Sequence, residues 1–172
     1  MNRALLIATV ALIAVLFAFS AAVYPELPAR IPAHFNGARV DSWANKGMLA
    51  WFGLPLLALI LVSFNLAIAG VFATRPELMN VPRKARLLAL APERRAHVMA
   101  WWWVLMQTIG LVELATLGLA QYVVWRVATG TIVDGRLIAR TVTAIALTAI
   151  PLSGGIIWRM VDEIARQERG EG

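Results

Sequence analysis

The sequence predicts an all-α integral membrane protein: four transmembrane helices, with a structured loop between the first and second. Two observations carry this. Of 172 residues, 60% are hydrophobic and the mean hydropathy is +0.70, above the roughly half-apolar usage of soluble domains. The apolar residues also gather into four stretches, each near the ~20 residues needed to cross a hydrocarbon core. Lipid offers the backbone no hydrogen-bond partners, so such stretches must be helical.

The first stretch is 4–24, which holds no charge. It has two readings, a retained helix or a signal peptide with Arg3 as its basic start and Ser20-Ala21-Ala22 as its cleavage site. We favour the helix, because the apolar run lasts a full membrane thickness. The second stretch is 48–74, with Pro55 as a candidate kink and Ser63 and Asn65 inside it. The third is 98–125, interrupted by Gln107, Glu113 and Gln121, and the fourth is 141–158, with Pro151 and Ser153-Gly154-Gly155 near its end. Tyr24, Trp51, Trp101, Trp102, Trp103, Tyr122, Trp125 and Trp158 lie near stretch ends, where amphipathic rings favour the headgroup layer.

Between these stretches the expectations differ. Residues 83–90 read as an ordinary basic loop, or as a short helix lying on an anionic leaflet. Pro92 and Glu93 suit a first helical turn. Asp134-Gly135, flanked by 131–133 and 136–138, predicts a β-hairpin leaning on the loop that follows the first helix. From Arg159, mixed Arg and Glu at helical spacing predict a solvated extension of the fourth helix. The whole chain, 1–172, reads as one domain.

The net charge of +6 forms no stripe on a soluble face, so nucleic acid is not an expected partner. The positive charges instead set orientation. Arg3, Arg75, Arg83, Lys84, Arg86, Arg94, Arg95, Arg159, Arg166 and Arg169 fall on one side; Arg30, Arg39, Lys46, Arg126, Arg136 and Arg140 fall on the other. The first set is larger, which predicts cytoplasmic termini. The 25–47 loop then faces outward. The absence of cysteine excludes disulfides, thiolate catalysis and cysteine-type zinc sites.

That loop is the candidate functional face. Pro25, Pro28 and Pro32 fix φ and extend the residues before them, predicting a stiff, non-helical strap. Behind it come His34, Asn36, Arg39, Asp41, Ser42, Asn45 and Lys46, with Gly37 suited to a turn. His34 and Asp41 have three readings: they bond each other and hold the strap, they recognise a ligand or partner, or His34 binds a metal with Asp41 and Glu26. The only other histidine, His97, falls on the opposite side, and a tight zinc site needs three or four ligands. No metal or cofactor is therefore expected.

The run L-P-A-R-I-P-A-H-F-N-G (27–37), followed by V-D-S-W-A-N-K (40–46), resembles the front module of the Sdp-immunity-type (SdpI-like) bacterial membrane proteins, over about residues 10–60. The resemblance marks Leu27 and Pro28 as the strap's anchor. Ile31, Pro32 and His34 match its Ile-Pro-x-His, and Asp41 and Lys46 its closing polar pair. Gly37 departs from the pattern, lying near His34, with Arg39 between it and Asp41. The chain is also short beside full immunity proteins. The resemblance thus implies the module, which is widespread in bacterial membrane proteins of unassigned function; immunity or signalling is what its best-understood relatives do.

Glu113 is the second candidate. An isolated carboxylate within a span costs several kcal/mol, so it should face the bundle or a wet cavity, be protonated, or be paired. Asn65 lies at comparable depth and Thr116 one turn away. A bundle-locking hydrogen bond, a proton- or ligand-linked role, and misplaced span limits are the three readings. No G-x-S-x-G, H-E-x-x-H or phosphate-cradling loop is present, so an enzyme is not expected. The expected protein is a non-enzymatic one of the bacterial inner membrane. It would sense or neutralise an extracytoplasmic peptide or small molecule, with a membrane or cytoplasmic regulatory partner. The alternative is a small proton-linked transporter using Glu113.

Overall fold

The computed structural model describes residues 1–36, 39–131 and 136–170; for 137–139, 141, 142 and 146 it describes the backbone only. Helix α1 spans Arg3–Val23 and runs through a short 3-10 turn, Tyr24–Glu26, into an antiparallel pair, β1 (Arg30–Asn36) and β2 (Arg39–Asn45). Helices α2 (Met48–Thr74), α3 (Lys84–Ala89), α4 (Pro92–Ala128) and α5 (Arg136–Arg169) follow. Four of these five helices are long and apolar enough to cross a membrane. The protein is a multi-pass membrane protein.

Helix α4 is the spine, packing against α1, α2, α3, α5 and β1. Three apolar clusters are strung along it. Val23, Leu27, Ile31 and Trp51 form the one beneath the hairpin; Leu16, Ala58, Val62 and Leu114 form a central layer. The third and largest lies at the far end, where Met79, Leu87, Val98, Met160 and Ile164 bring α3, α4 and α5 together.

The ends of the elements follow local chemistry. Asn2 caps α1, its Oδ1 accepting from the N–H groups of Ala4 and Leu5 at 3.0 and 3.3 Å. Pro92 opens α4 at a position whose N–H has no helical partner. Arg83, just before α3, takes a left-handed backbone (φ 60°), a costly conformation for a residue with a Cβ. Its carbonyl accepts from both Arg86 and Leu87. Pro55 lies buried within α2, and the helix continues through it.

Several expectations are corrected. The 25–47 loop is a strap only as far as Ala29, and beyond that it is a β-hairpin. The second strand expected at 136–138 is helical, because Arg136, Leu137 and Ile138 begin α5; residues 132–135, with the Asp134-Gly135 turn, lie outside the described residues. The expected strand gave way to a 34-residue helix, which gains a backbone hydrogen bond per added residue, whereas two short strands alone are marginal. The basic segment 83–90 contains the short helix α3. The tail is not wholly solvated, since Ile164 and Gln167 are buried against the far end of α4. Trp51 and Trp102 are buried in the bundle and take no part in an interfacial belt. Trp158 is exposed.

Candidate functional site

The hairpin is fixed at its base. Leu27 and Ile31 are 5% and 1% exposed against Trp51, and covering Ile31 alone contributes about 2 kcal/mol. Lys46 closes the base from the other strand. Its Nζ donates to the carbonyls of Leu27 at 3.0 Å and Pro25 at 3.5 Å, and it stands 4.8 Å from the centre of the Tyr24 ring. Those carbonyls follow the C-terminal end of α1, where a cation is favoured. The backbone N–H of Lys46 donates to Ala29 at 2.8 Å. Two acceptors of the fold thus engage the Lys46 ammonium and give it a structural role.

Higher up, His34 and Asp41 meet across the strands. The register is regular at Arg30↔Asn45 through Pro32↔Trp43, and again at Phe35↔Val40 and Asn36↔Arg39. At the irregular step between them His34 pairs with Ser42, and its ring reaches the neighbouring Asp41. Their Nδ1 and Oδ1 atoms are 2.6 Å apart. Both side chains stay open, at 68% and 42% exposure. Such an exposed pair holds a shape more than it adds stability, typically ~0.2–1 kcal/mol. Pro32, which has no N–H to give, is buried beside Ile31, while Pro28 and Asn36 are exposed. Gly37 lies outside the described residues.

A groove of about 520 Å³ opens beneath this hairpin, between β1, the first three turns of α2, and α4. Its volume lies in the ~300–1,000 Å³ range of small-molecule sites. His34 and Phe35 line its upper edge, Leu54 and Leu57 its lower edge, and Gln121 its α4 wall. A buried chain of hydrogen bonds holds the surrounding helices at fixed spacing. Trp51 Nε1 donates to the Ser20 carbonyl at 2.8 Å, and Gln121 Nε2 donates to the Trp51 carbonyl at 3.1 Å. Ser20, Trp51 and Gln121 are each no more than 1% exposed. Sequence reasoning missed this chain. Gln121 was visible as a polar break in an apolar stretch, which signals a buried partner without saying which one.

The second candidate lies deeper. Asn65 Nδ2 donates to Glu113 Oε2 at 2.6 Å, tying α2 to α4, while Thr116 turns back to its own helix at the Val112 carbonyl. Gly110 lies one turn away at the same interface; a Cβ there would make ordinary contact, 3.6 Å from the Val62 side chain and 3.8 Å from Asn65 Nδ2. Glu113 is about 9 Å along α4 from Gln107, which clasps the backbone N–H and carbonyl of Asn2 at 3.0 Å each. The pair thus lies nearer the far end of α1 than the hairpin. Among the described residues, no three His, Cys, Asp or Glu side chains gather as a metal site.

Residues 11–59 match a family model described as a domain of unknown function, DUF1648. The matched stretch holds the second half of α1, the hairpin and the start of α2, which is also the stretch carrying the Leu-Pro-x-x-Ile-Pro-x-His run. No curated protein and no solved structure matches the chain.

Proposed function

We propose that this chain is a non-enzymatic protein of the bacterial inner membrane, of the immunity or signalling type. Its hairpin faces the extracytoplasmic side and recognises an agent arriving there. The observation that carries this reading is a division of labour in the hairpin. Its base is locked by Ile31, Leu27 and Lys46, while the His34–Asp41 pair stands exposed above an open groove. A segment needed only to link two helices would not require both. The excess of Lys and Arg on the opposite side supports the orientation, and the DUF1648 match covers this stretch. A membrane or cytoplasmic regulatory protein would read the bound state at the far end, where α3, α4 and α5 share one cluster.

The transporter alternative needs a polar path from the hairpin to Glu113 and onward. The layer between them is Leu16, Ala58, Val62 and Leu114, all buried and apolar, and the Gln121 amide is committed to Trp51. This favours recognition over transport. The test is photo-crosslinking in intact cells, with Ser42 replaced by p-benzoylphenylalanine. A discrete adduct is expected, and the double variant His34→Ala/Asp41→Ala should lose it. An adduct pattern indifferent to that double variant contradicts the reading.

A further inference from the structure

The groove beneath the hairpin has the character of a lateral binding site opening onto lipid. Ala33, Ala44, Ala50, Gly53 and Ala120 line it, so small residues on four elements leave its volume unfilled. A Cβ added at Gly53 would meet nothing within 4 Å. On its lower side is Leu57, 42% exposed on a membrane-spanning helix, so the groove is continuous with the lipid-facing surface. Its upper side ends at His34. Whatever enters from the bilayer must keep an apolar body below and a polar end beside the hairpin.

Gln121 adds a second, independent observation. It is 1% exposed and lines the groove. Its Nε2 is committed to the Trp51 carbonyl, while no donor reaches its Oε1 among the described residues. That oxygen is not shut away from the groove, so it can accept a hydrogen bond from a molecule bound there.

From this geometry we infer that the groove binds a single-chain amphiphile drawn from the bilayer, one whose hydroxyl or amide N–H donates to Gln121 Oε1 while its chain lies along Leu54 and Leu57. This rests on the reading of the hairpin as a recognition site and names the chemical class that site takes. His34 and Asp41 would contact the polar end.

The test uses the full chain in proteoliposomes and a diazirine-bearing monoacylglycerol, a single chain with hydroxyl donors. Labelling of the peptide containing Leu54 and Leu57 should saturate and be competed by unlabelled monoacylglycerol. The methyl ester of the same fatty acid, which has no donor, should compete about tenfold less well, a typical loss for one buried hydrogen bond. Gly53→Leu, which fills the groove without a backbone clash, should abolish the saturable component. Gln121→Leu should erase the difference between the two competitors. Labelling that rises linearly with probe and survives Gly53→Leu would be bulk lipid contact and would overturn the inference. The outcomes separate the two claims. If saturable labelling is absent but the Ser42 adduct still depends on His34 and Asp41, the amphiphile fails alone. If labelling saturates but that adduct is indifferent, the hairpin reading fails alone.

Discussion

Asn65 and Glu113 show how far a single residue could be placed from sequence. An acidic side chain in an apolar stretch must be satisfied, and counting about 1.5 Å per residue down each helix puts Asn65 at matching depth. The partner was therefore legible. Glu113→Gln keeps an acceptor for Asn65 Nδ2, so its thermal unfolding in detergent should match the wild-type protein. Glu113→Leu strands that donor and should cost about 1 kcal/mol, within the range for hydrogen bonds between membrane helices. Equal stability of Leu and wild type would show that the 2.6 Å contact does not lock the helices. Trp51 was not legible in the same way. Its position near a helix end fits the membrane interface, and only the approach of α1 and α4 turns it inward. Trp51→Ala should therefore cost about 3–5 kcal/mol, the range for truncating a buried large aromatic; a surface ring would cost little. Lys46 was legible as a polar member of the loop, but its bonds to Leu27 and Pro25 depend on where β2 returns to α1.

At the scale of elements, the prolines marked the 25–47 segment as extended, and pairing completed what they began. The strand register could not be read because the step at His34 breaks simple alternation. If the His34–Asp41 contact orders the hairpin, His34→Ala and Asp41→Ala should each speed its proteolysis modestly. The double variant should add little to either one, since the contact is lost once; additive rates would mean the residues act separately. The hairpin expected at 131–138 has the opposite lesson. Asp-Gly is a turn signal, but it does not make a strand of the residues after it when a helix can propagate from Arg136. The end of helix α3 is held by a clamp from the first turn of α4, as Arg95 Nη2 donates to the carbonyls of Leu88 and Leu90 at 2.7 and 2.9 Å. Arg95→Met should thus raise amide hydrogen exchange across Lys84–Ala89 while leaving α2 unchanged. Unaltered exchange in α3 would show that its C-terminal end needs no such clamp.

For the whole molecule, hydropathy alone predicted four membrane-crossing helices, because span length is set by the bilayer and not by tertiary contacts. What it could not supply was how α4 and α5 continue beyond the lipid. There, Met79, Leu87, Val98, Met160 and Ile164 build a far-end cluster that hydropathy windows do not resolve. The functional proposal rests on which side each end faces. The chain has no cysteine, so single cysteines report sidedness cleanly. Ser42→Cys on β2 and Ala85→Cys on α3 both replace exposed residues at opposite ends of the bundle. In intact spheroplasts, a membrane-impermeant maleimide should label Ser42→Cys and should reach Ala85→Cys only after permeabilisation. Labelling of Ala85→Cys with protection of Ser42→Cys would place the hairpin in the cytoplasm and contradict the proposed function.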